Sequence, residues 1–304
     1  MLLTGGAGFL GHHLVRAWRD ERPGDHVLVL DTLTYAADAA RIGETALLVG
    51  DVADPAAVHA AFDRLGRVDA LVHLAAETHV DRSIVSAPVF VRTNVVGTQV
   101  LLDVARERGV GTFVHVSTDE VYGSIRSGSV DESAPFRPSS PYAASKAAGD
   151  HLVTAAFLTH RLPTLVVRPA NAFGTGQHPE KFLPLFCRAA VRGEPMPLYG
   201  DGSHQRDWLW AGDFVSAITC LLDNGERGTA YNVPGGGPVT NRAVAHAICR
   251  QAGCPRSLVT PVPDRPGHDR RYAMRGARIR ALGWRRTRLL VDELPALVEE
   301  ARRA

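Results

Sequence analysis

Lysine is nearly missing from this chain: of its 34 basic residues only Lys146 and Lys181 are lysine. A protein so biased uses arginine wherever any cation will serve, so a retained lysine marks a place that needs a compact ammonium rather than a planar guanidinium. Cysteine is scarce too. Cys187, Cys220, Cys249 and Cys254 have no C-x-x-C spacing, which argues against a zinc ribbon or a disulfide-stapled scaffold. With no secretory leader ahead of them they read as reduced thiols of a cytoplasmic protein. No apolar run approaches the ~20 residues of a membrane span, so no membrane partner is expected. A formal charge of +2 with scattered cations leaves no basic stripe for nucleic acid. Internal repeats and low-complexity tracts are absent. The thirteen histidines form no metal-ligand pattern, so no metal is expected, and His12 and His13 are expected on a helix surface.

What is present begins at once. Met1–Thr4 reads as a short strand, and Gly5-Gly6-Ala7-Gly8-Phe9-Leu10-Gly11 follows it as G-x-x-G-x-x-G. Glycines at that spacing let a pyrophosphate approach the backbone at a helix N-terminus. The helix expected over Phe9–Asp20 carries Leu10, Leu14, Ala17 and Trp18 on an apolar face. His26–Asp31 is a strand ending in an acid 20 residues past Gly11, placed for the ribose 2′-hydroxyl of a dinucleotide. No arginine follows Asp31 directly to take a 2′-phosphate, so NAD is favoured over NADP. Thr45–Gly50 predicts a third strand. Asp51, with Val52 beside it, is a candidate adenine contact or a cap for the helix after Pro55. Val68–Leu74 predicts a fourth strand, and Ala75-Ala76-Glu77 leaves it in small residues suited to pass close to a cofactor.

A long helix over about 88–108 leads to the stretch around which the chemistry gathers. Val114-His115-Val116 reads as a buried parallel strand that turns polar at Ser117. In open α/β sheets ligands lie beyond the carboxyl ends of the strands, so Thr118, Asp119 and Glu120 should face one. Adjacent carboxylates there can divide acid and base work; equally, they can cap a turn. The next element decides between these. Ser140 is an N-cap and Pro141 suits the first helical position, which puts Tyr142 and Lys146 four residues apart on one face of a helix running to about Thr159. An ammonium beside a phenol is expected to lower its pKa from ~10 toward working pH, so that Tyr142 can take a proton from an alcohol while hydride leaves the same carbon. The scarcity of lysine supports this use of Lys146.

Leu162–Arg168 closes a β-α alternation that predicts a doubly wound parallel sheet. Past Arg168 the chain becomes Gly- and Pro-punctuated. Asn171, Lys181 and Arg206 fall in loops, Ala211–Asp223 reads as a helix returning to the main sheet, Tyr231–Pro238 as a strand leading into a turn, and Asn241, Arg265 and His268 as residues of later turns. The division expected is a dinucleotide-binding domain over 1–168, with 211–234 returning to it, and a smaller α/β domain mainly over 169–304 whose Arg and Asn residues suit a substrate bearing phosphates and a base.

With these residues assembled, the chain resembles the nucleoside-diphosphate-glucose 4,6-dehydratases of the extended short-chain dehydrogenase/reductase superfamily, above all those acting on dTDP-glucose. TGGAGFLG, LDTLTY, LAAETHVDRSI, TNVVGT, STDEVYG, SPYAASK, QHPEK and DRPGHDRRY carry the likeness over nearly the whole length. The glycine loop and the Tyr-Lys pair mark only the superfamily; the Thr118-Asp119-Glu120 run narrows it. The resemblance implies a Rossmann-type α/β fold, a homodimer packed through the helices near 88–108 and 141–159, and tightly held NAD contacted by Gly5, Gly8, Phe9, Leu10, Gly11, Asp31, Asp51, Val52, Leu74, Ala75, Ala76, Tyr142 and Lys146. It implies that Tyr142 takes the proton of the sugar 4-hydroxyl, with Thr118 and Lys146 positioning it. Glu120 then removes the C5 proton, Asp119 protonates the departing C6 hydroxyl, and hydride returns to C6 to leave a 4-keto-6-deoxy sugar. Thr118, Asn171, Lys181, Arg206, Asn241, Arg265 and His268 match positions that hold the substrate.

The chain departs from the family pattern in a first strand of only three or four residues, in Ala170, Ala172 and Phe173 around Asn171 where polar residues are usual, and in the lack of a C-terminal aromatic tail. These changes leave the catalytic set whole. The rival readings are a sugar-nucleotide 4-epimerase, a dehydratase with a variant substrate or a 5,6-ene product, and a non-catalytic dinucleotide sensor.

Overall fold

The computed structural model describes residues 1–304. Strands β1 (Leu2–Thr4), β2 (Leu28–Asp31), β3 (Ala46–Val49), β4 (Ala70–His73), β5 (Thr112–Val116) and β6 (Thr164–Pro169) join the later strand Thr229–Val233 in one seven-stranded parallel sheet. Its order is Thr229–Val233, β6, β5, β4, β1, β2, β3. Chain direction across the sheet reverses between β1 and β4, and such a switch point opens a crevice for a ligand.

Side chains alternate across a strand, so each strand feeds both faces. Leu3, Val29, Val72, Val114, Val116, Leu165 and Val167 point into one buried cluster, with Leu14, Val15 and Trp18 of helix α1 (Phe9–Glu21) and Phe214 and Ile218 of helix Ala211–Asn224. Leu2, Leu28, Leu30, Leu71, Phe113 and Val166 point the other way, toward Phe62 of helix α2 (Pro55–Leu65) and other helical residues. A fully buried Phe or Leu stabilises such a core by roughly 1.5–3 kcal/mol. A third cluster, with Phe173, Phe186, Trp208, Ile248 and Leu297, lies in the C-terminal part.

Three further helices carry the route to the site. Helix α3 (Val80–Val85) and helix α4 (Pro88–Val91) lead into a π-helical turn at Arg92–Gly97, and helix α5 (Thr98–Arg108) continues from it. The helix expected over 88–108 is therefore interrupted. The wider turn seats the buried Asn94, which accepts from the Glu77 backbone N–H at 3.0 Å and donates to Ser145 Oγ at 2.9 Å, and Gly97 passes where a Cβ would lie 2.6 Å from Val52. Helix α6 (Pro141–His160) starts as expected, Ser140 Oγ accepting from the Ala143 N–H at 3.1 Å.

The strand leading into a turn over Tyr231–Pro238 is found: the strand ends at Val233, and the Gly235 and Gly237 N–H groups turn aside to donate to the Asp207 carboxylate at 2.9 and 2.8 Å. Other expectations need correcting. Asn241 opens helix Asn241–Ala252 rather than lying in a turn. His12 is buried, not on the surface; its Nδ1 lies 3.1 Å from Gly8 O, and burial pushes its pKa down to about 4. Asp54, not Asp51, caps α2. Met274, Ile279 and Trp284, from the C-terminal part, also sit in the first cluster.

Candidate active site

The glycine turn is shaped by steric need. Gly5 has φ +70°, and a Cβ there would lie 2.6 Å from the Ala75 nitrogen; one on Gly11 would run into the Gly5 carbonyl. No side chain caps α1 at Gly8, so its first N–H groups and the positive end of its dipole remain available for a phosphate. Asp31, buried at the end of β2, accepts from the Ala7 N–H at 3.0 Å and the Leu33 N–H at 2.9 Å. Each of its oxygens keeps acceptor capacity for a ribose hydroxyl. Leu74 and Ala75 are held against β1 by Thr4 through its carbonyl and hydroxyl. Phe9 and Leu10 open α1, and Asp51 binds the Ala53 N–H and Arg92, each at 2.8 Å. These residues fit a dinucleotide: a tight turn in which Gly5 and Gly11 leave no room for a Cβ, an uncapped helix end and a carboxylate for the ribose.

Thr118, Asp119 and Glu120 stand just beyond β5. Thr118 caps a short 3₁₀ turn over Asp119–Tyr122, its Oγ accepting from the Glu120 N–H at 3.3 Å. Asp119 is 2% exposed, and its Oδ2 has no partner. Burial, then the neighbouring Glu120 and Asp207, holds its pKa well above the usual carboxylate range. Burial raises Glu120 too, but Arg206, Arg265 and Lys181 pull against it. Two adjacent carboxyl groups thus sit in unequal fields, the more buried one favoured as the acid.

Tyr142 and Lys146 are both buried in α6. The expected lowering of the phenol is not found. Burial pushes Tyr142 far above its ordinary range, Glu120 and Asp119 push the same way, and only the Thr118 hydroxyl opposes them. Lys146 Nζ instead donates to the Val116 carbonyl at 2.7 Å, and burial lowers its pKa to about 8 against the pull of Asp150.

The cations expected to hold substrate converge from distant segments. Lys181 opens helix Phe182–Arg192 and reaches Thr78 O at 3.3 Å; Arg265 pairs with Asp81 at 3.0 Å; buried Arg206 lies 4.3 Å over the Tyr272 ring with one guanidinium nitrogen unpartnered. Asn171 and Asn241 also carry unpartnered buried amide oxygens. Neither is hydrogen-bonded through its side chain to Asp119 or Glu120. His268 Nδ1 lies 2.6 Å from Asp264, and its ring stacks on His204 at 3.8 Å.

The sequence reading passed over Tyr272, Asp269, Asp207 and the buried set of His115, Asp150 and Arg168. Asp150 lies one turn past Lys146 on α6, accepts from Arg168 Nε at 2.8 Å and stands 3.4 Å from His115 Nε2. Its spacing from Tyr142 and Lys146 was the available signal; Tyr272 closes the DRPGHDRRY run.

The sequence profile described as the NAD dependent epimerase/dehydratase family matches residues 1–234. The chain belongs to that family. Among its relatives, a dTDP-glucose 4,6-dehydratase of Streptomyces niveus is 45% identical over 98% of this chain and 91% of its own length. A dTDP-glucose 4,6-dehydratase of Streptomyces venezuelae, solved with NAD and dTDP bound, superposes with TM-score 0.94 at 44% identity, covering 99% of this chain and 96% of the other. Within the same family the UDP-glucose 4-epimerase of Thermus thermophilus, solved with NAD, matches the fold as well, with TM-score 0.94 over 100% of this chain and 99% of its own, but at 30% identity. Fold therefore does not separate dehydratase from epimerase in this epimerase/dehydratase family; by identity the epimerase is the more distant of these relatives.

Proposed function

We propose that this chain is an NAD-dependent hydro-lyase that converts dTDP-glucose to the 4-keto-6-deoxy sugar nucleotide. The observation that carries the reading is the pair Asp119 and Glu120 in unequal surroundings beside Tyr142. Bound NAD supplies a hydride acceptor for C4 and a donor for C6, and its positive ring favours the phenolate. Tyr142, oriented by the Thr118 hydroxyl, takes the proton of the 4-hydroxyl. Lys146, held to the end of β5, adds positive charge behind it. Once C4 is a ketone the C5 proton is acidic. Glu120, kept more ionised by Arg206, Arg265 and Lys181, takes it. Asp119, kept protonated by burial, gives its proton to the leaving C6 oxygen. Lys181, Arg206 and Arg265 suit the diphosphate, and Asn171, Asn241 and His268 the remainder of the nucleotide.

The reading also assigns 1–168 with 211–234 to cofactor binding and the rest mainly to substrate. The reading places the enzyme in the cytoplasm; as a separate fact, no helix is long and apolar enough to cross a membrane. Val89, Val91 and Val96 near the start of the 88–108 segment and Leu158 on α6 are exposed apolar residues, which supports a homodimer through these helices. Light scattering at micromolar concentration tests it, and a strict monomer overturns it. For the activity, the protein is incubated with dTDP-glucose and the product weighed. Loss of one water is expected; a product of unchanged mass means epimerisation, and no reaction means a sensor or another substrate.

A further inference from the structure

Glu120 touches a group that the mechanism above leaves unused. The Tyr272 hydroxyl lies 3.4 Å from Glu120 Oε2 and 2.9 Å from Asp269 Oδ2, and the same Asp269 oxygen accepts from Ser139 Oγ at 2.6 Å. Tyr272 and Asp269 are buried; Ser139 is exposed. The Tyr272 ring is fixed under Arg206 at 4.3 Å. Gly267, at φ +65°, brings its segment so close to Ser139 that a Cβ would lie 2.8 Å from the Ser139 carbonyl. The two loops are therefore packed together where the chain of polar groups reaches solvent.

From this row, and resting on the dehydratase reading, we infer that Tyr272 and Asp269 form a proton relay that connects Glu120 to bulk water through the surface at Ser139. A phenol has one proton to donate. With Glu120 ionised, the shorter bond gives that proton to Asp269, and Glu120 stays free to act as base. When the C5–H bond breaks, its electron pair enters the C5–C6 double bond as the C6–O bond breaks, and the proton goes to Glu120. Protonated Glu120 becomes a donor. Its proton passes to the Tyr272 oxygen, the Tyr272 proton passes to Asp269, and Asp269 exchanges with water at Ser139. Reversal delivers a solvent proton to C5 when hydride returns to C6. Nothing is oxidised and no co-reactant beyond water is needed.

The test is turnover in deuterium oxide, with deuterium at C5 of the product read by mass spectrometry and NMR. The unmodified protein is expected to give near-complete C5 labelling. Tyr272→Phe keeps the ring under Arg206 and removes only the hydroxyl. Its product should be dehydrated but carry about fivefold less deuterium at C5, because Glu120 returns the proton it took; a positioned proton path is worth at least that factor. Asp269→Asn leaves the phenol and removes the anionic acceptor, so it should lower the label likewise and serves where Tyr272→Phe does not fold. Full labelling in both variants overturns the relay. If the unmodified protein forms no dehydrated product, the dehydratase reading fails instead, so the two failures are told apart by product mass.

Discussion

In the cofactor cradle, the phosphate-binding part comes from the first 31 residues and is largely backbone: the turn at Gly5–Gly11 and the uncapped start of α1, with the carboxylate of Asp31 beside them. In the cleft around Glu120 the groups that would face a ligand are titratable side chains drawn from segments near residues 120, 142, 181, 206 and 265. The cradle tolerates little added volume, since a single methyl group collides with main chain. The cleft is held in place by opposing charges, and unpartnered polar atoms on Arg206, Asn171 and Asn241 lie buried within the same C-terminal half. Shape governs one region and field the other, so they should fail differently when altered.

The largest effect is expected where the two regions meet. Tyr142→Phe should slow C4 oxidation by about 10⁴, leaving bound NAD unreduced in a single turnover followed by NADH absorbance; ordinary NADH formation would remove Tyr142 from the redox step. Glu120→Gln should slow loss of water by about 10³ while C4 oxidation continues, so NADH accumulates. Water loss at the unmodified rate would make Glu120 a turn residue only.

Arg206→Ala breaks the field without touching the cradle. KM for the sugar nucleotide should rise by about 30-fold, the scale of a lost charged hydrogen bond, with NAD content after purification unchanged; loss of NAD would mean the regions are not separate. Gly11→Ala does the reverse. It should cost roughly 1–3 kcal/mol of stability by thermal unfolding and reduce NAD retention by about tenfold, with KM for sugar in NAD-saturated enzyme near normal. A KM shift as large as that of Arg206→Ala would erase the contrast.

The smallest effect sharpens the electrostatic side. Lys146 has its folded pKa lowered to about 8 by burial, so its ammonium is present below that pH and lost as pH rises through it. Activity should fall to about half near pH 8 and continue downward. Stability should move the opposite way, rising between pH 8 and the ordinary lysine range of ~10.4, because there the unfolded chain binds the proton and the folded one does not. A flat activity profile to pH 10 would show that Lys146 acts without its charge.

Local spacing made much of this legible. The parallel sheet follows from the alternation of short β-rich runs with helical segments, and α6 from Ser140-Pro141 ahead of Tyr142; both depend on neighbours a few residues apart. The cradle belongs to the same class, since glycine spacing and the acid at Asp31 are properties of one turn and one adjacent strand. The π-helical turn at Arg92–Gly97 was not legible, because Asn94 is held by Glu77 and Ser145, each far away in sequence.

The amino-acid sequence by itself determined which chemistry the chain carries: the carboxylates at 119 and 120, the phenol and ammonium one helical turn apart, and the dinucleotide turn at residues 5–11. Only the tertiary structure decided the protonation those groups prefer. Burial raised Tyr142 where spacing to Lys146 predicted lowering, and it raised Asp119 well above its ordinary range while Arg206, Arg265 and Lys181, arriving from distant segments, oppose the rise of Glu120. The same folding brought Tyr272 and Asp269 behind Glu120. A pKa depends on what lies within a few ångströms in space, and for these groups that surrounding is assembled from residues up to 152 positions away.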